Sequence, residues 1–143
     1  MPPALLASER DELALYDAIR LLPLRSACLT AIDPDTAGHP GIRAERAGRP
    51  AVELWFAPDG RLTHLAADVA DAGGGPAVRQ DVWLSGALSA GGVRWPARVR
   101  IHQRGAEFFD LTLTGLRVLR RAEDARLAGP GARPPGRGDA SAS

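Results

Sequence analysis

From Val93 to Ile101 the odd positions are apolar, while most even positions from Arg94 to Arg104 are basic. Val93, Trp95, Ala97, Val99 and Ile101 fall on odd positions; Arg94, Pro96, Arg98, Arg100, His102 and Arg104 fall on even ones. Successive side chains of a strand point to opposite faces, so this stretch is a β-strand with one apolar and one basic face. Such a strand must pair on both sides and cover its apolar face. That requirement organises residues 77–121 into three long strands joined by two tight turns.

The neighbouring segments carry the same period. Val78, Val82, Leu84 and Leu88 share one side of the preceding strand, with Arg79, Asp81, Trp83 and Ser85 on the other. Phe109, Leu111 and Leu113 share one side of the following strand, opposite Asp110, Thr112 and Thr114. Leu116 and Val118 then fall out of phase, which predicts a β-bulge at Gly115. Keeping apolar faces together sets the pairing. Leu88 should face Val93 around Ser89–Gly92, with Trp95 over Gly86, Arg98 opposite Trp83 and Arg100 opposite Asp81. A turn at Arg104-Gly105-Ala106 sets Ile101 opposite Phe109 and Arg100 opposite Asp110, so Arg100 lies between two carboxylates. Pro96 has no N–H and marks an irregularity or a sheet edge.

Upstream, residues 8–22 read as a helix. Ser8 is the expected N-cap and Asp11 the capping-box acid, and Pro23 ends the helix. Leu15, Ala18, Ile19 and Leu22 form its apolar stripe, widened by Leu13, Tyr16 and Leu21. Residues 24–32 form an expected strand. Residues 33–41 form a loop rich in Pro and Gly. Asp33, Asp35 and His39 cluster there, but the turn residues account for the segment without a metal, and calcium-loop spacing is not met. Residues 42–47 and 51–57 make a hairpin. Pro58-Asp59-Gly60 makes a type I turn into a strand over 61–70. A three-residue turn pairs Phe56 with Leu62 and Leu54 with His64, and directs His64 inward. A two-residue turn would direct Leu65, Ala67 and Val69 inward instead. Pro-Asp-Gly favours the first.

The predicted fold class is α+β: a curved, mainly antiparallel sheet of about six or seven strands in a meander, with one N-terminal helix on its apolar face. Residues 1–121 form the single domain. Residues 122–143 change composition to Gly, Pro, Ala and Arg with few aliphatics, which predicts a disordered tail.

Composition narrows function mainly by exclusion. A formal net charge of +1 gives no electrostatic case for nucleic acid, and no apolar run is long enough for a membrane span. All 18 basic residues are Arg, a sign of GC-rich coding. A lone cysteine, Cys28, excludes an intrachain disulfide; its place in a strand suggests a buried, inert thiol. The first residues lack a basic leader, so the chain as it stands reads as cytoplasmic. There is no nucleophile elbow, phosphate loop or zinc-binding helix motif, so no catalytic residue, metal or cofactor is expected and the chain reads as a non-enzyme.

The stretch Gly-Gly-Val-Arg-Trp-Pro-Ala-Arg-Val-Arg-Ile, followed by Gly105 and Phe109-Asp-Leu-Thr-Leu-Thr-Gly-Leu-Arg-Val, resembles a segment of the LolA-like lipoprotein-carrier superfamily. The resemblance covers residues 77–120. It implies a half-open barrel with helices on its concave side, a periplasmic setting, and a site for acyl chains or another apolar molecule. The inward residues Leu54, Phe56, Leu84, Trp95, Val99, Phe109 and Leu111 are the expected ligand contacts between sheet and helix. The alternative is a protein-interaction module that docks a partner through Arg94, Arg98, Arg100 and Arg104, or through a sheet edge.

Overall fold

The computed structural model describes residues 1–119; the tail read from the sequence lies outside them. The architecture is α+β. Helix α1 (Pro3–Asp17) is followed by two 3₁₀ turns, Ala18–Arg20 and Leu22–Leu24. Nine strands follow: β1 (Cys28–Ile32), β2 (Gly41–Glu45), β3 (Val52–Phe56), β4 (Leu62–Val69), β5 (Val78–Ser85), β6 (Leu88–Ala90), β7 (Val93–Trp95), β8 (Arg98–Gln103) and β9 (Ala106–Thr112). Seven of them form one antiparallel sheet in the order β1-β2-β3-β4-β5-β8-β9, and β6 pairs with β7 separately.

One cross-strand row explains the core. Ala31, Ile42, Leu54, Leu65, Val82, Ile101 and Phe109 lie side by side across all seven strands. Leu54, Leu65 and Val82, at its centre, are fully buried beneath Leu15 and Ala18 of the helical segment. Fully burying a Leu or Val stabilises the fold by about 1.5–3 kcal/mol, so this row is the main reason the helix stays on the sheet. Polar contacts fix its position. Asp11 accepts a hydrogen bond from the Ala70 N–H (3.1 Å), and Gln80, fully buried, donates to the Tyr16 hydroxyl (2.5 Å).

The helix starts earlier than expected. Pro3 occupies the first turn, where a missing N–H costs nothing, so Ser8 lies buried inside the helix and caps nothing. Leu13 is solvent-exposed, and Leu21 takes a positive φ of 61° between the two 3₁₀ turns. Cys28 is exposed on the edge strand β1, not buried.

Two registers differ from expectation. The turn after β3 does pair Phe56 with Leu62, but Thr63 is an extra residue; beyond it Trp55 faces His64 and Leu54 faces Leu65. His64 therefore points away from the helix, and Leu65, Ala67 and Val69 point inward. Leu65 fills the core better than an imidazole would, and the bulge lets both turn geometry and core be satisfied. In the β5–β8 ladder the register is shifted by two residues: Trp83 faces Arg100, Asp81 faces His102 and Ser85 faces Arg98. A shift of two keeps every side chain on its expected face, so apolar pairing alone does not choose between the two registers. Gly91 and Gly92 make the choice. Both have positive φ (54° and 79°), which allows a two-residue turn and brings Ala90 opposite Val93 and Leu88 opposite Trp95.

The β8–β9 hairpin closes with another two-residue turn, Arg104-Gly105, rather than three residues. A bulge follows it, so Ile101 still meets Phe109 and Arg100 still meets Asp110. Strand β9 ends at Thr112, and Gly115 is not a bulge because no strand runs there.

Candidate functional site

Two places concentrate side chains that a simple packed sheet does not require. The first is a cleft. Strands β5 and β8 continue past the main sheet as β6 and β7, but the hairpin bends where they leave it. Gly86 has φ 65°, and an added Cβ there would lie 2.9 Å from the Ala97 Cβ. Pro96, next to the Ala97 that faces Gly86, lacks the N–H a continuous ladder needs. The bent hairpin thus stands off the sheet opposite the 3₁₀ turns, leaving a cleft of about 570 Å³.

Leu22 comes from the helical side, Leu62 from the start of β4, Leu84 from the end of β5, and Val93 and Trp95 from the hairpin. Leu22 and Val93 keep 62% and 42% of their surface exposed, so these walls are apolar but not closed on one another. Arg20, Arg61 and Arg94 also line it, with Thr63 and Ser85, and among the described residues no carboxylate takes part. Small-molecule sites fall in the range of about 300–1,000 Å³ with mainly apolar walls.

Of the expected ligand contacts, the structure brings only Leu84 and Trp95 to this cleft. Leu54 is fully buried in the core, and Phe56 and Val99 pack against it. Phe109 and Leu111 lie on the exposed edge strand β9, at 42% and 40% exposure. Leu22, Leu62 and Val93 were not foreseen, because the bend that opposes them is signalled locally by Gly86 and Pro96 alone.

The expected arginine face is divided. Arg94 belongs to the cleft. Arg98 makes two bonds to Asp110 (2.6 and 2.9 Å), and Arg104 sits at a turn, 3.3 Å from Asp71. Arg100 stands between Trp83 and Asp110 in the cross-strand row, not between two carboxylates.

The second place is the sheet face turned away from the helix. Gly41, Trp55, His64, Trp83, Arg100 and Asp110 form a continuous row there. The His64 ring is held between two indoles. Its centroid is 4.5 Å from that of Trp55 and 3.7 Å from that of Trp83, with interplanar angles of 15° and 8°. Trp55 is anchored by its Nε1–H, which donates to the Asp33 carbonyl (3.0 Å).

His64 Nε2 lies 2.7 Å from an Asp81 carboxylate oxygen. An ionised carboxylate only accepts, so Nε2 carries the proton. Burial by itself would raise the Asp81 carboxyl. The His64 hydrogen bond and the charges of Arg79, His64 and His102 outweigh it and hold the group below the usual carboxylate range. The other ring nitrogen, Nδ1, is buried and has no partner among the described residues. One ring nitrogen is thus engaged by Asp81 and the other is sealed from solvent between the strands. The stack is a structural device that locks β3, β4 and β5 in register. Its sequence signal was the inward set Leu65, Ala67 and Val69, which forces His64 outward.

Asp35 organises the loop before β2 by accepting from the Ala37 and His39 N–H groups (2.9 Å each) and contacting the His39 ring (3.1 Å). Among the described residues no three His, Cys, Asp or Glu side chains are grouped to hold a metal ion. Among them, too, no helix is long and apolar enough to cross a membrane. The chain matches no protein-family model, and no curated protein or solved structure is significantly similar to it.

Proposed function

We propose that this protein is a non-enzymatic binding domain that holds an apolar or acyl-chain ligand in the cleft between the bent β6–β7 hairpin and the 3₁₀ turns. The observation that carries this reading is the cleft of about 570 Å³ walled by Leu22, Leu62, Leu84, Val93 and Trp95. Apolar surface left in water costs about 25 cal/mol per Å² relative to burial, so a hydrocarbon chain placed there is favoured without any catalytic group. A LolA-like affiliation of residues 77–120 belongs to the same proposal and entails the same kind of ligand.

The test uses the neutral dye Nile red, displaced by decanol. One dye should bind per protein, decanol should displace it at micromolar concentration, and Val93→Glu should abolish binding with an unchanged circular dichroism spectrum. No dye binding, or equal binding by Val93→Glu, would refute the cleft as the site.

A second reading rests on strand β9, exposed along its whole length, with Phe108 at 61% exposure. Such an edge can accept an added strand from a partner protein. An immobilised protein should then capture a partner that Phe109→Lys releases.

A further inference from the structure

Resting on the cleft reading above, we infer that the ligand is an anionic amphiphile, a hydrocarbon chain ending in a carboxylate or phosphate, whose head is held by Arg94 with Arg20 and Arg61. The charge distribution of the lining carries this. The walls are mainly apolar, yet among the described residues every charged side chain in the lining is an arginine. The three come from three separate elements: Arg20 ends the first 3₁₀ turn, Arg61 precedes β4, and Arg94 is the middle of β7. A bare hydrocarbon ligand would give no reason for arginines from three separate elements to line one mainly apolar space.

Two of the three already have a carboxylate. Arg20 lies 3.3 Å from Asp17, and Arg61 lies 2.7 Å from Asp59; both pairs are half-exposed and both aspartates stand outside the lining. Arg94 has no ion pair among the described residues, although its charge helps depress the Asp59 carboxyl. The rim therefore has one guanidinium without a carboxylate partner among the described residues, and it sits on the hairpin side of the cleft. Exposed pairs such as Arg61–Asp59 are weak, about 0–1 kcal/mol, so a ligand anion that reaches two guanidinium forks can compete for them. The chain lies along Leu62, Leu84 and Trp95, and the head remains at the mouth, where water still solvates it.

Head-group series with a fixed chain test this directly. Decanoate, decyl phosphate, decanol and decyltrimethylammonium are titrated against Nile red on the full chain at neutral pH and low salt. Decanoate or decyl phosphate should displace the dye at least tenfold better than decanol, and the ammonium compound worse than decanol. Arg94→Ala should remove most of the anion advantage, read as the ratio of anion to decanol displacement, and added salt should do the same. Whichever anion binds tighter identifies carboxylate or phosphate as the head. Decanol equal to both anions, or an anion advantage that survives in the Arg20→Ala/Arg61→Ala/Arg94→Ala protein, would overturn the head-group inference and leave the apolar cleft standing. Failure of all four compounds would instead remove the cleft reading itself.

Discussion

The imidazole of His64 lies flat against the indole of Trp83, with ring centroids 3.7 Å apart and planes 8° from parallel. Trp55 closes the other side of the ring. Three adjacent strands are thus joined by side chains on the face the helix does not cover. That face would otherwise offer water a row of large apolar groups.

His64→Ala should lower stability by about 2–4 kcal/mol, since each stacked contact is worth about 0.5–1.5 kcal/mol beyond burial and the charge-assisted bond to Asp81 adds more. Urea unfolding followed by circular dichroism measures it. A loss below about 1 kcal/mol would show that the stack merely decorates the sheet.

The Asp81 carboxyl is held low in the folded state, so its ionised form stabilises the fold. For a depressed carboxyl this contribution is fully present above the unfolded-state value, about 4, and disappears as pH falls through the lower folded-state value. Asp81→Asn keeps an oxygen to accept from His64 but removes the charge. The variant should be less stable than the wild type at pH 7, and the gap should close in acid below about pH 4. A gap independent of pH would mean that Asp81 acts only by shape.

Gly41 opens the same row. A Cβ added there would lie 2.6 Å from Trp55 Nε1 and 2.8 Å from an Ile32 side-chain carbon. Gly41→Ala must therefore displace Trp55 or Ile32. It should cost about 1–3 kcal/mol and weaken the bond from Trp55 to Asp33. Thermal unfolding and the Trp55 indole N–H resonance report both effects; an unshifted resonance would contradict the tight fit.

The sequence made the strands legible because period two fixes faces. The inward positions of Val82, Leu84, Val99 and Ile101 and the outward positions of Trp83 and Arg100 follow from it directly. Register was less legible. Sliding β5 against β8 by two residues preserves every face, and only the left-handed conformations of Gly91 and Gly92 select the observed pairing. The bulge at Thr63 was hidden for a related reason: the turn signal and the core pattern each favoured a different register, and the chain satisfies both by inserting one residue. The cleft was legible only in part. Leu84 and Trp95 stood out as apolar, but their separation from Phe109 and Leu111 depends on a bend three-dimensional in origin, at Gly86 and Pro96.

The cleft is tested most directly by methyl NMR during a titration with decanol. Resonances of Leu22, Leu62, Leu84 and Val93 should move together and saturate at one equivalent, while Leu29 and Leu111 on the exposed edges stay in place. Shifts centred on Leu111, or no saturable shift at any of the four cleft residues, would contradict a ligand site beneath the bent hairpin.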